Sequence, residues 1–445
     1  MNSNAEELAL RNFKIDAIVT CLSQDKTILG YSLTGSVFHV EPSSFGFCPC
    51  CRYVGRMRYR SKEMRVYPSK WTRRSVLRGA VSLVACTAVP AWAQSGKSAG
   101  APRILVVAQV VDNTPGQLDV SRDFLIGSRA AWQEVNKTGG VNGRSIQHLV
   151  LEVDGSSTSL RAALDTIKKT ANCVVLSGTA GDRAASQLVA LLKQDQHDIA
   201  HVAPWLQNSD LDGDNRTFPI FASRQDQIAQ ALKSLSLMGV PEIGAVYASE
   251  QEYSLYRDDV ERASAALKIK LMSFKPSAGL ALVGKSLNAD TPRILLFMGG
   301  TPELMQFTQS IDKQARQRYV VALADVNLQT LMQMGASRHT PIMATQVVPM
   351  VNSPSPIVKS YRQTLARLFD EPPTPQSLAG YIAARYTSEV LNTVEGALTR
   401  QTTLLAFQQR HAVDLSGFRV SFNAQGRGGS YVTQSMLTPD GRLVG

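Results

Sequence analysis

The sequence predicts an α/β protein built as two doubly wound parallel-sheet lobes. Three observations carry that expectation. From Arg103 onward, short apolar runs alternate with amphipathic segments of helical spacing. Repeated βα units of this kind form a parallel sheet covered on both faces. The alternation restarts after about residue 224. About 350 residues follow the segment read below as an export signal, beyond the size at which a single core usually stops growing.

In the first half, Ile104-Leu105-Val106-Val107-Ala108 reads as a strand that ends in the loop Gln109 to Thr114. Residues 120–136 form a helix, with Phe124, Leu125, Ala130 and Trp132 at near-helical spacing. Gly139-Gly140-Val141-Asn142-Gly143 is turn chemistry. A strand at 146–153, a helix at 160–169, a strand at 173–176, a helix at 183–193 and a strand at 199–203 follow.

The second half repeats the order. Helices are expected at 225–238, 254–267, 302–315 and 328–334, and strands at 243–247, 269–274, 294–297 and 319–323. Pro349, Pro354 and Pro356 mark an extended crossing. Two amphipathic helices come next, near 356–369 and 376–398; the second carries a wide apolar stripe from Leu378 to Val394. The tail is strand-like at 418–422 and 431–437, around a Gly-rich turn.

Ahead of these elements lies a processing signal. Thr72-Arg73-Arg74-Ser75-Val76-Leu77-Arg78 precedes the short apolar run Gly79 to Val89, and Ala91-Trp92-Ala93 supplies small residues at a cleavage site. The arginine pair points to the twin-arginine export route. The run is too short to span a bilayer. Met64 to Ala93 has the usual signal length, so residues 1–63 are read as upstream sequence ahead of the natural start.

Charge and cysteine usage change once this signal is set aside. The chain carries 47 Lys and Arg against 36 Asp and Glu, a net of +11; residues 1–93 hold 13 of the basic and 6 of the acidic groups. The remainder, 34 against 30, has a net of +4. That balance gives no support to nucleic-acid or membrane binding. Cys21, Cys48, Cys50, Cys51 and Cys86 precede the cleavage site, and Cys173 alone follows it, so no intramolecular disulfide is expected. Cys48-Pro49-Cys50-Cys51 has thiolates at short spacing, but His39 is isolated and no second Cys/His pair sits at finger spacing. Neither metal nor cofactor is expected.

Catalytic signatures are also missing. The sequence holds no G-x-S-x-G elbow, P-loop or H-E-x-x-H. His148, His197, His201, His339 and His411 are scattered without metal spacing and read as surface or packing residues. A non-enzymatic protein is expected.

Five segments in order carry a family resemblance. They are Asn136-Lys137-Thr138-Gly139-Gly140-Val141-Asn142-Gly143-Arg144, Ile199 to Pro204, Gln346-Val347-Val348-Pro349 with Pro354, Leu378-Ala379-Gly380-Tyr381-Ile382-Ala383-Ala384, and Gly417 to Phe422. Together they make the region 103–445 resemble the periplasmic substrate-binding proteins of branched-chain amino acid ABC transporters, with the leucine-binding type I fold. The resemblance implies a clamshell of two lobes joined by three crossings, here near Phe221-Ala222, Val347-Val348 and Ser421-Phe422. It implies lobe one as 103–222 with 348–421, and lobe two as 223–347 with 422–445. It further implies a periplasmic monomer that closes on a small amino acid or related metabolite and is recognised by an inner-membrane permease. A sensory receptor subunit using the same clamshell remains the alternative.

Candidate contacts follow from the rule that ligands bind at the carboxyl ends of strands. After the first strand these are Asn113 and Thr114, although Thr114-Pro115-Gly116 also reads as turn chemistry. After strand 173–176, Ser177, Gly178, Thr179 and Asp182 lead into a helix N-terminus, where backbone N–H groups favour anions; the resemblance places a ligand carboxylate there. Asp182 also reads as a helix cap. Trp205 and Leu206 follow strand 199–203, with Trp205 either a cleft wall or packing. In lobe two, Tyr253 falls near the family's closing aromatic. Asp325 either meets a ligand ammonium or caps the next helix. Two departures bear on the ligand. Asp182 and Leu206 stand where the family often has hydroxyl residues, and a carboxylate at the first position repels a ligand carboxylate.

N-terminal sequencing of the exported protein is expected to begin at or next to Gln94. Recovery of residues 1–63 in the mature protein would refute the upstream reading.

Overall fold

The computed structural model describes residues 104–196, 198–276, 279–312, 314–335, 339–438 and 442–444. The export signal, the Cys48 to Cys51 cluster and His197 lie outside them.

The first sheet is formed by β1 (Leu105–Asp112), β2 (Ile146–Val153), β3 (Cys173–Ser177), β4 (Ala200–Val202) and β5 (Thr217–Phe218). Its order is β2-β1-β3-β4-β5, all parallel. β1 is buried along its whole length, because helices cover both faces. Leu105, Val107 and Val111 join one core with α1 (Leu118–Lys137). Val106, Ala108 and Val110 join another with α2 (Ser157–Lys169) and α3 (Asp182–Gln194).

The second sheet contains β6 (Glu242–Tyr247), β7 (Lys270–Phe274), β8 (Ile294–Met298), β9 (Tyr319–Ala322) and β10 (Ile342–Gln346), all parallel. One face is covered by α4 (Arg224–Leu237) and α5 (Glu250–Ala266). The other is covered by α6 (Leu280–Ser286), α7 (Thr301–Ile311) and α8 (Leu328–Gln333). The helices α9 (Pro356–Leu368), α10 (Pro375–Asn392) and α11 (Arg400–Gln408) then return to the first lobe's core. A two-stranded ribbon, β11 (Val413–Asp414) with β12 (Arg419–Val420), precedes β13 (Thr433–Leu437) and β14 (Leu443–Val444), which extend the second sheet in antiparallel fashion. The chain therefore passes between the sheets three times: from β5 to α4, from β10 to α9, and from β12 to β13.

Several boundaries differ from the sequence expectation. β1 runs on through Asp112, because all eight of its residues pair in register with β2; Gln109 to Asp112 are strand, not loop. The long helix expected to reach 398 stops at Asn392. Gly396 adopts φ +81°, and a capping box at Thr399 starts a separate helix. β10 has no counterpart in the sequence expectation, since its buried run is short and the prolines of the crossing follow it closely. β5, α6 and β11 gave no periodic signal, whereas β12 falls within the expected strand 418–422.

Helices α1 and α10 pack with their backbones nearly touching. A Cβ at Gly127 would lie 1.7 Å from the Ser377 carbonyl oxygen, and one at Gly380 would lie 1.8 Å from that of Phe124. The hydroxyl of Ser128 lies within hydrogen-bonding distance of the Phe124 and Gly380 carbonyls, at 3.1 and 3.2 Å. Gly380→Ala is expected to destabilise the protein by about 3 kcal/mol, the upper range for overpacking, since a backbone and not a flexible side chain must yield. Denaturant unfolding measures this; a loss below about 0.5 kcal/mol would show that the two helices separate freely.

Candidate functional site

The segments after β3 and β4 meet the segment after β9 and the start of α4 across the gap between the lobes. On lobe one, Gly178 (φ +67°) and Gly181 (φ +111°) shape the turn from β3 into α3. A Cβ at Gly181 would meet the Asp112 Cβ at 2.6 Å, so only glycine fits a left-handed backbone this close to β1. The turn delivers Asp182 as the first residue of α3, with Gly181 as the cap. Asp182 is thus not the helix cap. Its Oδ1 accepts from the Gln207 N–H at 2.6 Å. Its own N–H donates to Gln117 Oε1 at 3.1 Å, so part of the anion-binding helix terminus is already used.

On lobe two, the capping box Ser223/Asp226 begins α4 and turns Arg224 inward. The Arg224 guanidinium lies 3.5 Å from Asp182 and bonds Asp325 directly. Its Cζ sits 4.3 Å from the ring centroid of Tyr256. Trp205 of lobe one donates its indole N–H to Asp325 Oδ1 at 2.9 Å and packs edge-on against Phe124 and at a tilt against Phe221. Gln207 and Gln227 continue the contact: Gln227 Nε2 donates to Gln207 Oε1, while its Oε1 accepts from the Ala324 N–H and Thr345 Oγ1.

Burial is the largest influence on Asp182 and raises its pKa; Arg224 opposes the rise and Asp325 adds to it. For Arg224, burial favours loss of the proton, but Asp325, Tyr256 and Asp182 outweigh it and the net direction is upward. The guanidinium therefore stays charged between two carboxylates.

The structure brings three of the sequence-predicted residues together here: Asp182, Trp205 and Asp325. It places the others elsewhere. Asn113 is exposed and donates to Glu152 at 2.9 Å. Thr114 donates its backbone N–H to Asp112. Ser177 is buried against Thr387 of α10 at 2.7 Å. The Gly178 carbonyl accepts from Gln109 at 2.6 Å. Thr179 pairs with the buried His201 at 2.8 Å, whose pKa burial lowers to about 4. Leu206 packs with Ala185 and Val189. Tyr253 stands edge-on to Tyr247 and next to Lys275 and Arg257, all of lobe two. Tyr256, one turn further along α5, packs against Arg224 in its place. Asn327, not Asp325, caps α8.

Sequence reasoning missed Arg224 and Gln227. A signal existed: both lie on the buried stripe of α4 with Ile228, Ala231 and Leu235, and an arginine on a core stripe needs a buried partner. It also missed Arg427, which is 2% exposed. Arg427 grips Asp212 through Nε and Nη2, and its Nη1 donates to the Leu206 and Phe221 carbonyls. This arginine ties the third crossing to the first.

A second interlobe region flanks the first. Asp119 and Asp123, on the N-terminal turns of α1, accept from Thr301 Oγ1 at 2.6 Å and Asn327 Nδ2 at 2.8 Å. Gln376 Nε2 donates to the Ala324 and Val326 carbonyls. A cavity of about 440 Å³ opens here, between α1 with segment 371–377 on one side and α7 with α8 on the other. Burial raises the pKa of both aspartates, against the opposing hydrogen bonds from Thr301 to Asp119 and from Thr374 and Asn327 to Asp123. Among the described residues no group of three or more His, Cys, Asp or Glu could hold a metal ion.

Comparison with curated protein sequences found no match. Solved structures share the fold at low identity. An extracellular ligand-binding receptor from Verminephrobacter eiseniae has a TM-score of 0.70 at 19% identity, covering 77% of this chain and 100% of that one. A substrate-binding periplasmic protein from Ralstonia solanacearum has a TM-score of 0.67 at 20% identity, covering 76% and 99%. An ABC transporter substrate-binding protein from Desulfitobacterium hafniense, solved in complex with Leu, has a TM-score of 0.62 at 18% identity, covering 77% and 99%. The family model described as periplasmic binding protein matches residues 106–437. With that match spanning both lobes and all three crossings, the chain belongs to the periplasmic binding protein family.

Proposed function

We propose that the protein is the extracytoplasmic solute-binding subunit of an ABC transporter. It captures a small amino-acid-like or polar metabolite between two closing lobes and delivers it to an inner-membrane permease. One observation carries this reading: the strand ends of two separately cored sheets meet through side-chain contacts, in a chain that crosses between them three times. Such contacts can be made and broken by hinge motion without unfolding either core. The twin-arginine signal at 72–93 and the lobe boundaries 103–222 with 348–421 and 223–347 with 422–445 belong to the same reading. So does the likeness to solved structures, two of which are substrate-binding proteins.

The solute is not a branched-chain amino acid. A ligand carboxylate at the β3–α3 turn would meet the Asp182 carboxylate, and Gln117 already occupies the Asp182 N–H. The guanidinium that could answer a carboxylate is held by Asp182 and Asp325. Asp182, Trp205 and Asp325 act here as closing contacts as much as ligand contacts. No catalytic step is assigned: the buried His201 is engaged by Thr179, and the half-buried His148 packs beside Trp132.

Mass spectrometry of small molecules released from the purified folded protein is expected to find one metabolite near equimolar with the chain. Calorimetric titration with leucine is expected to show no saturation up to about 1 mM. Micromolar leucine binding would overturn the exclusion, and absence of any bound or bindable solute would overturn solute capture itself.

A further inference from the structure

We propose that the interlobe cavity beside α1 binds a cationic, partly apolar small molecule: a primary amine or guanidinium on a short hydrocarbon or aromatic body. This rests on the solute-binding reading above, and adds where the solute sits and which charge it carries.

The strand-end region is filled by the protein itself. Trp205, Arg224, Asp325 and Tyr256 hold one another there. The cavity beside it is open and measures about 440 Å³, within the range of small-molecule sites. Its walls come from both lobes, so one occupant would touch both and favour their closure.

The lining sets the class of occupant. Asp119 and Asp123 lie four residues apart on α1 and so share one helix face. Asp119 Oδ2 accepts from Thr301, whereas Oδ1 is buried with no hydrogen-bond partner among the described residues. A buried acceptor left in this state is costly, and an N–H donor from a ligand would answer it. The lining cation, Arg122, is an exposed side chain paired with Glu371 at 3.4 Å. The lining thus carries three carboxylates and one guanidinium. A ligand cation there gains charge-assisted hydrogen bonds, while an anion is repelled. Desolvation has raised the pKa of both aspartates, so a cation beside them would offset a burial penalty. The mouth is apolar: Leu118 of lobe one and Met334 of lobe two are 48% and 47% exposed, and Ile126 lies further along α1. Two large exposed apolar groups facing one acidic cavity suit an amine with an apolar body.

The test is calorimetry on the purified protein with phenethylamine and agmatine, and with phenylacetate and leucine as the anionic and zwitterionic counterparts. One amine is expected to bind one to one, with phenylacetate silent. The double variant Asp119→Asn with Asp123→Asn is expected to weaken that binding about 30-fold or more. Its unliganded thermal midpoint should be unchanged or higher, since each amide keeps an acceptor for Thr301 or Asn327 while losing a desolvated charge. That midpoint separates loss of binding from loss of fold. A bound solute that is anionic or neutral, or amine binding indifferent to the double variant, would overturn the cavity assignment and leave solute capture standing. Failure of every probe, together with no solute released from the purified protein, would overturn both.

Discussion

The closed arrangement depends on one guanidinium. Arg224 lies between Asp182 of lobe one and Asp325 of lobe two, with the Tyr256 ring against it. Desolvating these ions costs several kcal/mol each, and the attraction among them returns that cost only when the remaining polar atoms are also satisfied. Both carboxylates are answered further, Asp182 by the Gln207 N–H and Asp325 by the Trp205 indole, while the Tyr256 ring covers the guanidinium. Without the guanidinium, two buried carboxylates on opposite lobes would face each other. Trp205 and the Gln207 N–H each answer one of the two carboxylates that flank that charge.

Arg427 solves a different problem with the same residue type. Its partners are Asp212 and the carbonyls of Leu206, Asn208 and Phe221. One carboxylate balances one guanidinium, and the remaining donors consume carbonyls that the crossings would otherwise bury unpaired. The glycines around it permit this. Gly426 has φ +99°, and a Cβ at Gly429 would lie 2.3 Å from the Ile220 carbonyl oxygen. The first and third crossings are therefore fixed to each other by a balanced pair. The lobe faces are joined by an unbalanced trio, which is the more easily rearranged of the two.

Much of the fold was readable from the sequence because both sheets are covered on two faces. Strands such as 173–176 and 294–297 then appear as continuous apolar runs, and the helices between them show a clear stripe. Short or edge elements were not readable: β5 has two residues, and β10 merges into a proline-marked crossing. The site was readable only in part. The strand-end rule leads to Asp182, Trp205 and Asp325, since it depends on topology alone. It misleads for Ser177 and Thr179, whose hydroxyls turn into lobe one to satisfy Thr387 and His201. Pairing across 42 to 120 residues, as between Arg224 and Asp182 or Trp205 and Asp325, leaves no local pattern. An arginine on a core stripe was the one trace available.

The sign of the interface charge runs against that of the chain. Residues beyond 93 carry a small positive excess, yet both interlobe regions are short of positive charge: two carboxylates to one guanidinium at the strand ends, and three to one around the cavity. Net charge is therefore no guide to what the gap prefers. Asp119, Asp123 and Asp182 are all raised by burial. A carboxylate whose folded pKa lies above its unfolded value near 3.9 detracts from stability at higher pH, and the penalty fades as pH falls through the folded value. Protons and ligand cations are thus alternative ways of relieving the same strain. In a compartment near neutral pH the proton is scarce, which leaves the relief to be supplied by positive charge, from Arg224 at the strand ends and from the solute in the cavity.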